Sequence, residues 1–156
     1  MYAFLVYPHS NIRYRHSLLQ LAQAELSMTL DALGREAEVK TCEMGGAPFL
    51  TFDTSKLTER DIRMLSQLSS IYMMFTMEDG QLTPMESLHP QYVEEDLPAL
   101  LKYKGKTNEM FTDTMLTMAL AQSDFMHIHD GQLMVCDPMA SRQPSCRPPR
   151  AGPVPG

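Results

Sequence analysis

The stretch 37–53, Ala37-Glu38-Val39-Lys40-Thr41-Cys42-Glu43-Met44-Gly45-Gly46-Ala47-Pro48-Phe49-Leu50-Thr51-Phe52-Asp53, decides the fold that we expect. Its two ends, 37–42 and 48–53, are short segments with the composition of β-strands. The pair Gly45-Gly46 lies between them, and a glycine pair is typical of the tight turn in a β-hairpin. The stretch therefore predicts two consecutive antiparallel strands.

One strand and one helix are predicted before this hairpin. Residues 2–7 combine alternating apolar character with high β propensity and end at Pro8, which predicts a strand. Residues 16–33 carry apolar side chains close to helical spacing, and Gly34 follows as the expected stop. The side chains that define the apolar face of this helix are Leu18, Leu19, Ala22, Leu26, Leu30 and Leu33.

A second helix and a further strand are predicted after the hairpin. Thr58 opens the helix, and Asp61 takes the position of the usual Glu in a capping box. Residues 70–77 then form a strand that closes at Asp79-Gly80. The order strand, helix, strand, strand, helix, strand over residues 1–80 predicts an α/β fold of the ferredoxin-like (βαββαβ) type.

Beyond residue 80 the sequence predicts a linker and part of a second domain. Residues 81–108 contain several prolines and a Lys-Gly-Lys-Thr-Asn motif, and we interpret them as the linker. A helix is predicted over 109–123 and a strand over 132–137. The apolar residues that share one face of this helix are Phe111, Met115, Met118 and Ala119.

The composition is that of a chain that buries a core. Hydrophobic types make up 44% of the 156 residues and charged types 21%, which suits one domain or one small domain with part of another. No apolar run approaches the length needed to cross a bilayer, so we expect no membrane partner. Three cysteines, Cys42, Cys136 and Cys146, fit free thiols in a reducing compartment, so we expect a cytoplasmic protein.

The net charge of −6 is unevenly distributed along the chain. The last 19 residues hold three arginines and no acidic residue, so an acidic body of −9 precedes a basic tail of +3. The acidic charge of residues 1–137 argues against strong non-specific binding to nucleic acid, because such binding depends on clustered Lys and Arg. This charge distribution is still compatible with a local basic surface.

Two basic segments are candidate RNA contacts. Arg13, Tyr14 and Arg15 belong to a basic, aromatic loop after the first strand, where Arg contacts phosphate and Tyr stacks on a base. The alternative is that these residues enter the helix and that the tyrosine packs on the sheet. The linker lysines either contact RNA phosphates between two domains or form a solvated connector; they are Lys102, Lys104 and Lys106.

Two apparent motifs do not carry their usual chemistry. The Lys-Gly-Lys-Thr segment at 104–107 has Leu100 where a phosphate-binding loop requires glycine, and no strand leads into it, so we exclude nucleoside triphosphate binding. His127, His129 and Cys136 lack a recognisable fourth ligand, so we expect no metal site.

An apolar run near residue 134 closes on Asp137-Pro138. An Asp at the end of a strand often caps a turn. Here a helix and a short loop precede the strand, which is the order at the first strand of a Rossmann-type methyltransferase. An α/β sheet binds its ligand at the carboxyl ends of such strands. The segment therefore predicts the approach to a cofactor loop.

With these segments the chain resembles the tRNA guanosine methyltransferase-like RNA methylases, which join a small N-terminal module to a Rossmann methyltransferase domain. The resemblance covers nearly all of residues 1–140, and its most specific pieces are the Lys-Gly-Lys-Thr-Asn stretch and the Asp-Pro strand end. It implies that 109–137 hold the first helix and strand of the catalytic domain. The segments that carry the resemblance are 7–15, 45–50, 101–109 and 136–140.

The resemblance also implies roles for individual residues. Thr107, Asn108 and Phe111 match the segment beside the methionine end of S-adenosylmethionine, and Asp137-Pro138 match the start of the cofactor loop. From Ser141 onward the sequence departs from the family: it has no Gly-x-Gly turn, no acidic residue for the ribose hydroxyls and no Asn-Pro-Pro-Tyr for the target amine. We therefore expect no catalytic residue here and no catalysis by this chain alone.

The tail over 138–156 holds six prolines and three arginines, a composition that predicts disorder. Arg, Pro, Gly and Ala are also the residues that GC-rich coding DNA yields when it is read out of frame. One hypothesis is that the reading frame was lost near codon 141. The competing hypothesis is a natural short protein with a disordered basic tail.

Three functions follow from the sequence as hypotheses. The first is an N-terminal fragment of an S-adenosylmethionine-dependent RNA methyltransferase that acts on an exocyclic base amine, with tRNA as the expected partner. The second is a stand-alone RNA-binding or adaptor module. The third is a fragment of a DNA adenine methyltransferase, since those enzymes share the Asp-Pro loop and the amine chemistry. The choice of RNA over DNA rests on analogy between folds.

Overall fold

The computed structural model describes residues 1–7, 12–88 and 109–127. The chain divides into two compact units, Met1–His89 and Pro90–Gly156. Within the described residues no helix has the length and apolar character required to cross a membrane.

The first unit is an α/β structure built on one antiparallel sheet of five strands in the order β2-β3-β1-β4-β5. The described residues of this unit form two helices, and those of the second unit form a third helix followed by a 3₁₀ helix. In chain order the elements are β1 (Tyr2–Val6), α1 (Ile12–Ala32), β2 (Lys40–Met44), β3 (Ala47–Phe52), α2 (Glu59–Leu65), β4 (Ile71–Glu78), β5 (Gln81–Pro84), α3 (Glu109–Ala121) and the 3₁₀ helix Asp124–His127.

The core of the first unit lies between the helices and one face of the sheet. Alternation along β1 sends Tyr2, Phe4 and Val6 to this face, and all three are buried. The predicted leucine stripe of α1 meets them and removes apolar surface from water, which is the main stabilising contribution to such a core. The buried residues that join β1 in this core are Ala22, Leu26, Leu30, Val39, Leu50, Phe52, Leu57, Leu65, Leu68 and Met74.

The first helix begins earlier than predicted and ends as predicted. Its first turn starts at Ile12, so Arg13, Tyr14 and Arg15 belong to α1, as the helix-entry alternative predicts, and not to a loop. At the other end, Gly34 has a φ of 68° and the Arg35 N–H donates to the Leu30 carbonyl oxygen at 2.9 Å. Glycine adopts this left-handed conformation without a steric penalty, so it closes the helix in a Schellman motif.

Two hairpins share the same turn chemistry. Gly45 and Gly46 join β2 to β3 with φ values of 59° and 80°. Asp79 and Gly80 join β4 to β5 with φ values of 50° and 78°. Residues 81–84, predicted to belong to the linker, therefore form an edge strand instead, because two consecutive positive φ values turn the chain back on itself.

The buried residues of the third helix are not those of its predicted apolar face. Phe111 and Met115 lie on the predicted apolar face, and each is 47% exposed. Thr112, Thr114 and Ala121 are the buried residues of this helix. The Thr114 hydroxyl donates to the Met110 carbonyl oxygen at 2.8 Å, which satisfies this buried polar group inside the helix. The predicted strand over 132–137 lies outside the described residues.

Candidate nucleic-acid interface

Several segments that carry candidate binding residues lie at one end of the sheet. β1 ends there at Val6, and α1 begins a few residues later at Ile12. Because β3 and β4 both run antiparallel to β1, their first residues lie at this same end. The Gly45-Gly46 turn and the Ser69-Ser70 segment therefore lie at this end, and Ser69 contacts Glu25, so the start of α1 at Ile12 extends roughly 20 Å further along the helix axis.

Two tyrosines lie at this end with large exposed fractions. Tyr7 is 44% exposed and Tyr72 is 54% exposed. Their ring centroids are 5.3 Å apart and their planes make an angle of 89°, so the edge of one ring meets the face of the other. The Tyr7 N–H donates to the carbonyl oxygen of Ser70 at 2.9 Å, which ties the end of β1 to the start of β4.

A β-bulge in β4 directs Tyr72 away from the core. Leu5 pairs with Met73, but the next residue of β1, Val6, pairs with Ile71, so Tyr72 has no partner on β1. In a regular strand Tyr72 would share the face of buried Met74. The extra residue reverses the alternation at this point, so Ile71 packs against the core while the tyrosine is exposed.

A buried carboxylate holds the segment that leads into this bulge. Glu25 of α1 is 0% exposed. Its Oε1 accepts a hydrogen bond from the Ser69 N–H at 3.1 Å, and its Oε2 accepts one from the Ser69 hydroxyl at 3.0 Å. The Ser69 and Ser70 hydroxyl oxygens lie 3.4 Å apart. A buried carboxylate is costly unless it is hydrogen-bonded, so these contacts fix the position of the segment relative to α1.

The remainder of the sheet face opposite the helices offers less aromatic surface. Phe49 of β3 and Phe75 of β4 lie on this face, with ring centroids 6.0 Å apart. On the central strand Phe49 pairs with Leu5 and Phe75 pairs with Ala3, so the two rings approach each other diagonally across β1. Phe49 is 6% exposed and Phe75 is half-buried, so the most exposed aromatic rings described on this face are those of Tyr7 and Tyr72.

The start of α1 is positively charged and has no acidic residue in its first turn. Arg13 and Arg15 lie there, and the Arg15 side chain is exposed. Positive side chains are unfavourable next to the positive end of the helix dipole, so an anion close to this end would stabilise it. Asp53, Glu78 and Asp79 lie at the opposite end of the sheet, whereas Glu43 lies next to the Gly45-Gly46 turn at this end.

The other site residues predicted from the sequence lie elsewhere in the described structure or outside the described residues. The Arg13 and Tyr14 backbones lie in α1, while their side chains are outside the described residues. Phe111, predicted to contact the cofactor, lies in α3 of the second unit. The predicted site residues outside the described ranges are Lys102, Lys104, Lys106, Thr107, Asn108, Asp137 and Pro138.

Sequence reasoning missed Tyr7, Tyr72 and Glu25. Glu25 did carry a signal, since it follows Ala22 by three residues and precedes Leu26 by one, which places a charged residue on the apolar face of α1. Tyr72 carried none, because strand alternation alone places it in the core and the bulge depends on pairing with β1.

Among the described residues no cluster of His, Cys, Asp or Glu is arranged to hold a metal ion. No family model, no curated protein and no solved structure matches this chain.

Proposed function

We propose that the first unit is a ferredoxin-like module with β5 added at one edge. The element order β1-α1-β2-β3-α2-β4 supports this assignment. So does the sheet order, since β1 lies between β3 and β4 and is antiparallel to both. This is the arrangement of two interlocked split βαβ units.

We further propose that this module binds RNA on behalf of a cytoplasmic methyltransferase that modifies an exocyclic base amine, with tRNA as its substrate. The observation that carries the proposal is the location of the exposed Tyr7–Tyr72 pair at the same end of the sheet as the basic start of α1. Arginine side chains neutralise phosphates, and exposed aromatic rings stack on unpaired bases. By holding the RNA, the module would position the target base for methyl transfer. Such positioning makes a large contribution to the rate of these reactions.

S-adenosylmethionine remains part of this proposal through the resemblance alone. Of the residues matched to its binding segments, Phe111 has a described side chain, and its ring is 47% exposed on α3. One exposed ring is compatible with contact to the methionine end of the cofactor, but it does not make a cofactor site. The contribution that the described residues can make is therefore to hold RNA.

Binding of an unmodified tRNA transcript to the full chain, measured by fluorescence anisotropy from 50 to 300 mM salt (on the order of the range over which phosphate contacts weaken), tests this proposal. We expect the logarithm of affinity to fall linearly with the logarithm of salt concentration. The double variant Arg13→Glu and Arg15→Glu should weaken binding and reduce the slope, because it removes phosphate contacts.

The matched control for this experiment is Lys56→Glu with Arg60→Glu. It changes the net charge by the same amount on exposed residues near the start of α2, at the opposite end of the sheet. We expect nearly unchanged tRNA affinity from the control after the general loss of positive charge is taken into account. Equal losses in both double variants, or binding without salt dependence, would contradict an interface at the start of α1.

The two alternative functions are distinguished by the nucleic acid that the chain binds. A stand-alone RNA-binding module would bind tRNA with no methyltransferase partner required. A module of a DNA adenine methyltransferase would bind a DNA single strand at least as well as the RNA of the same sequence, since only RNA presents the 2′-hydroxyl.

A further inference from the structure

We infer that Tyr72 is the stacking platform for one unpaired base of single-stranded RNA, and that buried Glu25 is the residue that positions it. This inference rests on the proposed RNA-binding function and adds two things to it: the class of ligand, an unstacked nucleotide, and the residue that holds the binding ring in place.

The arrangement of the rings determines the class of ligand. Tyr7 and Tyr72 meet edge to face, so the pair itself covers only one face of one ring. The exposed surface of Tyr72, 54% of the residue, is available to a planar partner. Bases inside a duplex have both faces covered by their neighbours, whereas a base in a single strand can leave the stack and lie on an aromatic ring.

The bulge explains why this ring is exposed at all. Regular pairing would place Tyr72 beside Met74 on the core face, where an aromatic side chain is normally stabilised by burial. The chain instead places Ile71 in the core and turns the larger aromatic ring outward. Bulges commonly redirect a side chain at a binding site, which is the role that we assign to this one.

Glu25 controls the ring through a short chain of contacts. Its carboxylate binds the N–H and the hydroxyl of Ser69, three residues before Tyr72. The next residue, Ser70, accepts the hydrogen bond from the Tyr7 N–H. Both rings of the pair are therefore attached to the segment that Glu25 fixes. Loss of these contacts would release the start of β4, including the bulge.

Positive charge at this end of the sheet favours RNA as the occupant. The start of α1, with Arg13 and Arg15, lies at the same end of the sheet as the tyrosine pair. Arg15 lies roughly 15 Å along the helix axis before Glu25, so a single strand of several nucleotides that stacks on Tyr72 can bring a phosphate to it.

The first test compares an eight-nucleotide single-stranded RNA (about the length of one small binding site) with a blunt duplex of equal length, using the full chain at fixed salt. We expect preference for the single strand. Tyr72→Ala should lower single-strand affinity roughly 10-fold, the size expected for one lost stacking contact. Tyr72→Phe keeps the ring and should stay within about twofold of the parent. The salt slope should be unchanged in both, since neither changes a charge.

The second test addresses Glu25 with Glu25→Gln, which keeps the size of the side chain but removes one acceptor oxygen. We expect the NMR cross-peak between the Tyr7 and Tyr72 rings to weaken while the amide signals of β2 and β3 stay in place. Single-strand affinity should fall, and adding Tyr72→Ala should cause no further loss, because both changes remove the same contact.

Asp61→Asn is the matched control, since it neutralises another buried carboxylate of the same unit, in α2. It should lower thermal stability without changing single-strand affinity or the ring cross-peak. A Glu25 variant that behaves like this control, losing stability alone, would overturn the positioning role.

The outcomes separate this inference from the function on which it rests. If the full chain binds neither tRNA nor any oligonucleotide, the proposed function fails and the inference with it. If it binds tRNA with the expected salt dependence but treats single strand and duplex alike, or if Tyr72→Ala has no effect, the inference is overturned and RNA binding stands. Concentration-dependent dimerisation abolished by Tyr72→Ala would overturn it in favour of a second copy.

Discussion

At the residue scale, the Asp61 carboxylate shows how several donors stabilise one buried charge. Its Oδ2 accepts hydrogen bonds from the Thr58 N–H at 2.7 Å, the Thr58 hydroxyl at 2.8 Å and Arg35 at 2.6 Å. Burial raises the pKa of Asp61, but the hydrogen bonds from Thr58 and the charge of Arg35 together outweigh it, so this pKa lies below its ordinary value of 3.8. The group thus joins the start of α2 to the chain that leaves α1.

The lowered pKa of Asp61 sets the pH range in which it stabilises the fold. Its contribution is present above the unfolded pKa of 3.8 and is lost as pH falls through the still lower folded pKa. We expect Asp61→Asn to reduce the free energy of unfolding by about 2 kcal/mol at pH 7, since it removes the ion pair and one cap contact. Urea denaturation at several pH values should show this difference shrinking below pH 4 (about the unfolded pKa of Asp). A difference equally large in strong acid would contradict the assignment.

At the element scale, turn residues decided which strands pair as hairpins. The Gly45-Gly46 pair predicted the β2–β3 hairpin, and the structure confirms it. Asp79-Gly80 is an equally strong hairpin signal, but the sequence analysis predicts only a strand end there and a proline-containing linker after it, whereas the structure pairs β4 with β5. A strand of this length carries too little periodicity to be recognised without its partner.

Gly80 makes the β4–β5 hairpin sensitive to substitution. Its φ of 78° is in the region that an L-residue with a Cβ enters at a cost. We expect Gly80→Ala to lower the free energy of unfolding by about 1 kcal/mol in urea denaturation. Gly80→Asn is the control and should cost less, since Asn tolerates this conformation better than Ala. Equal stability of the alanine variant and the parent would show that the turn does not require positive φ.

At the scale of the whole molecule, the first unit is organised around a central strand. β1 is paired on both sides, with β3 and with β4, whereas β2 and β5 each have one neighbour within the described sheet. The same topology brings the start of α1, the Tyr7–Tyr72 pair and the Ser69-Ser70 segment to one end. The candidate interface is thus a consequence of the sheet order.

This topology predicts a gradient of amide hydrogen exchange in the first unit. Paired amides of β1 should exchange most slowly, because their opening requires the core to open, and those of β2 and β5 should exchange faster. Exchange followed by NMR or mass spectrometry on the full chain would measure this gradient. Protection of β5 equal to that of β1 would mean that the edge strand belongs to the most stable part of the sheet.

Local sequence patterns were sufficient to predict the leucine stripe and Gly34 of α1, the glycine turn of the first hairpin and the Thr58–Asp61 capping box. These features depend on contacts within a few residues, so they can be read from spacing and side-chain chemistry alone. The candidate site, by contrast, depends on contacts between elements that are distant along the chain. The bulge at Tyr72 exists only through pairing with β1, and the partner of Glu25 lies 44 residues along the chain. Long-range contacts of this kind depend on how the elements pack, which no local pattern specifies.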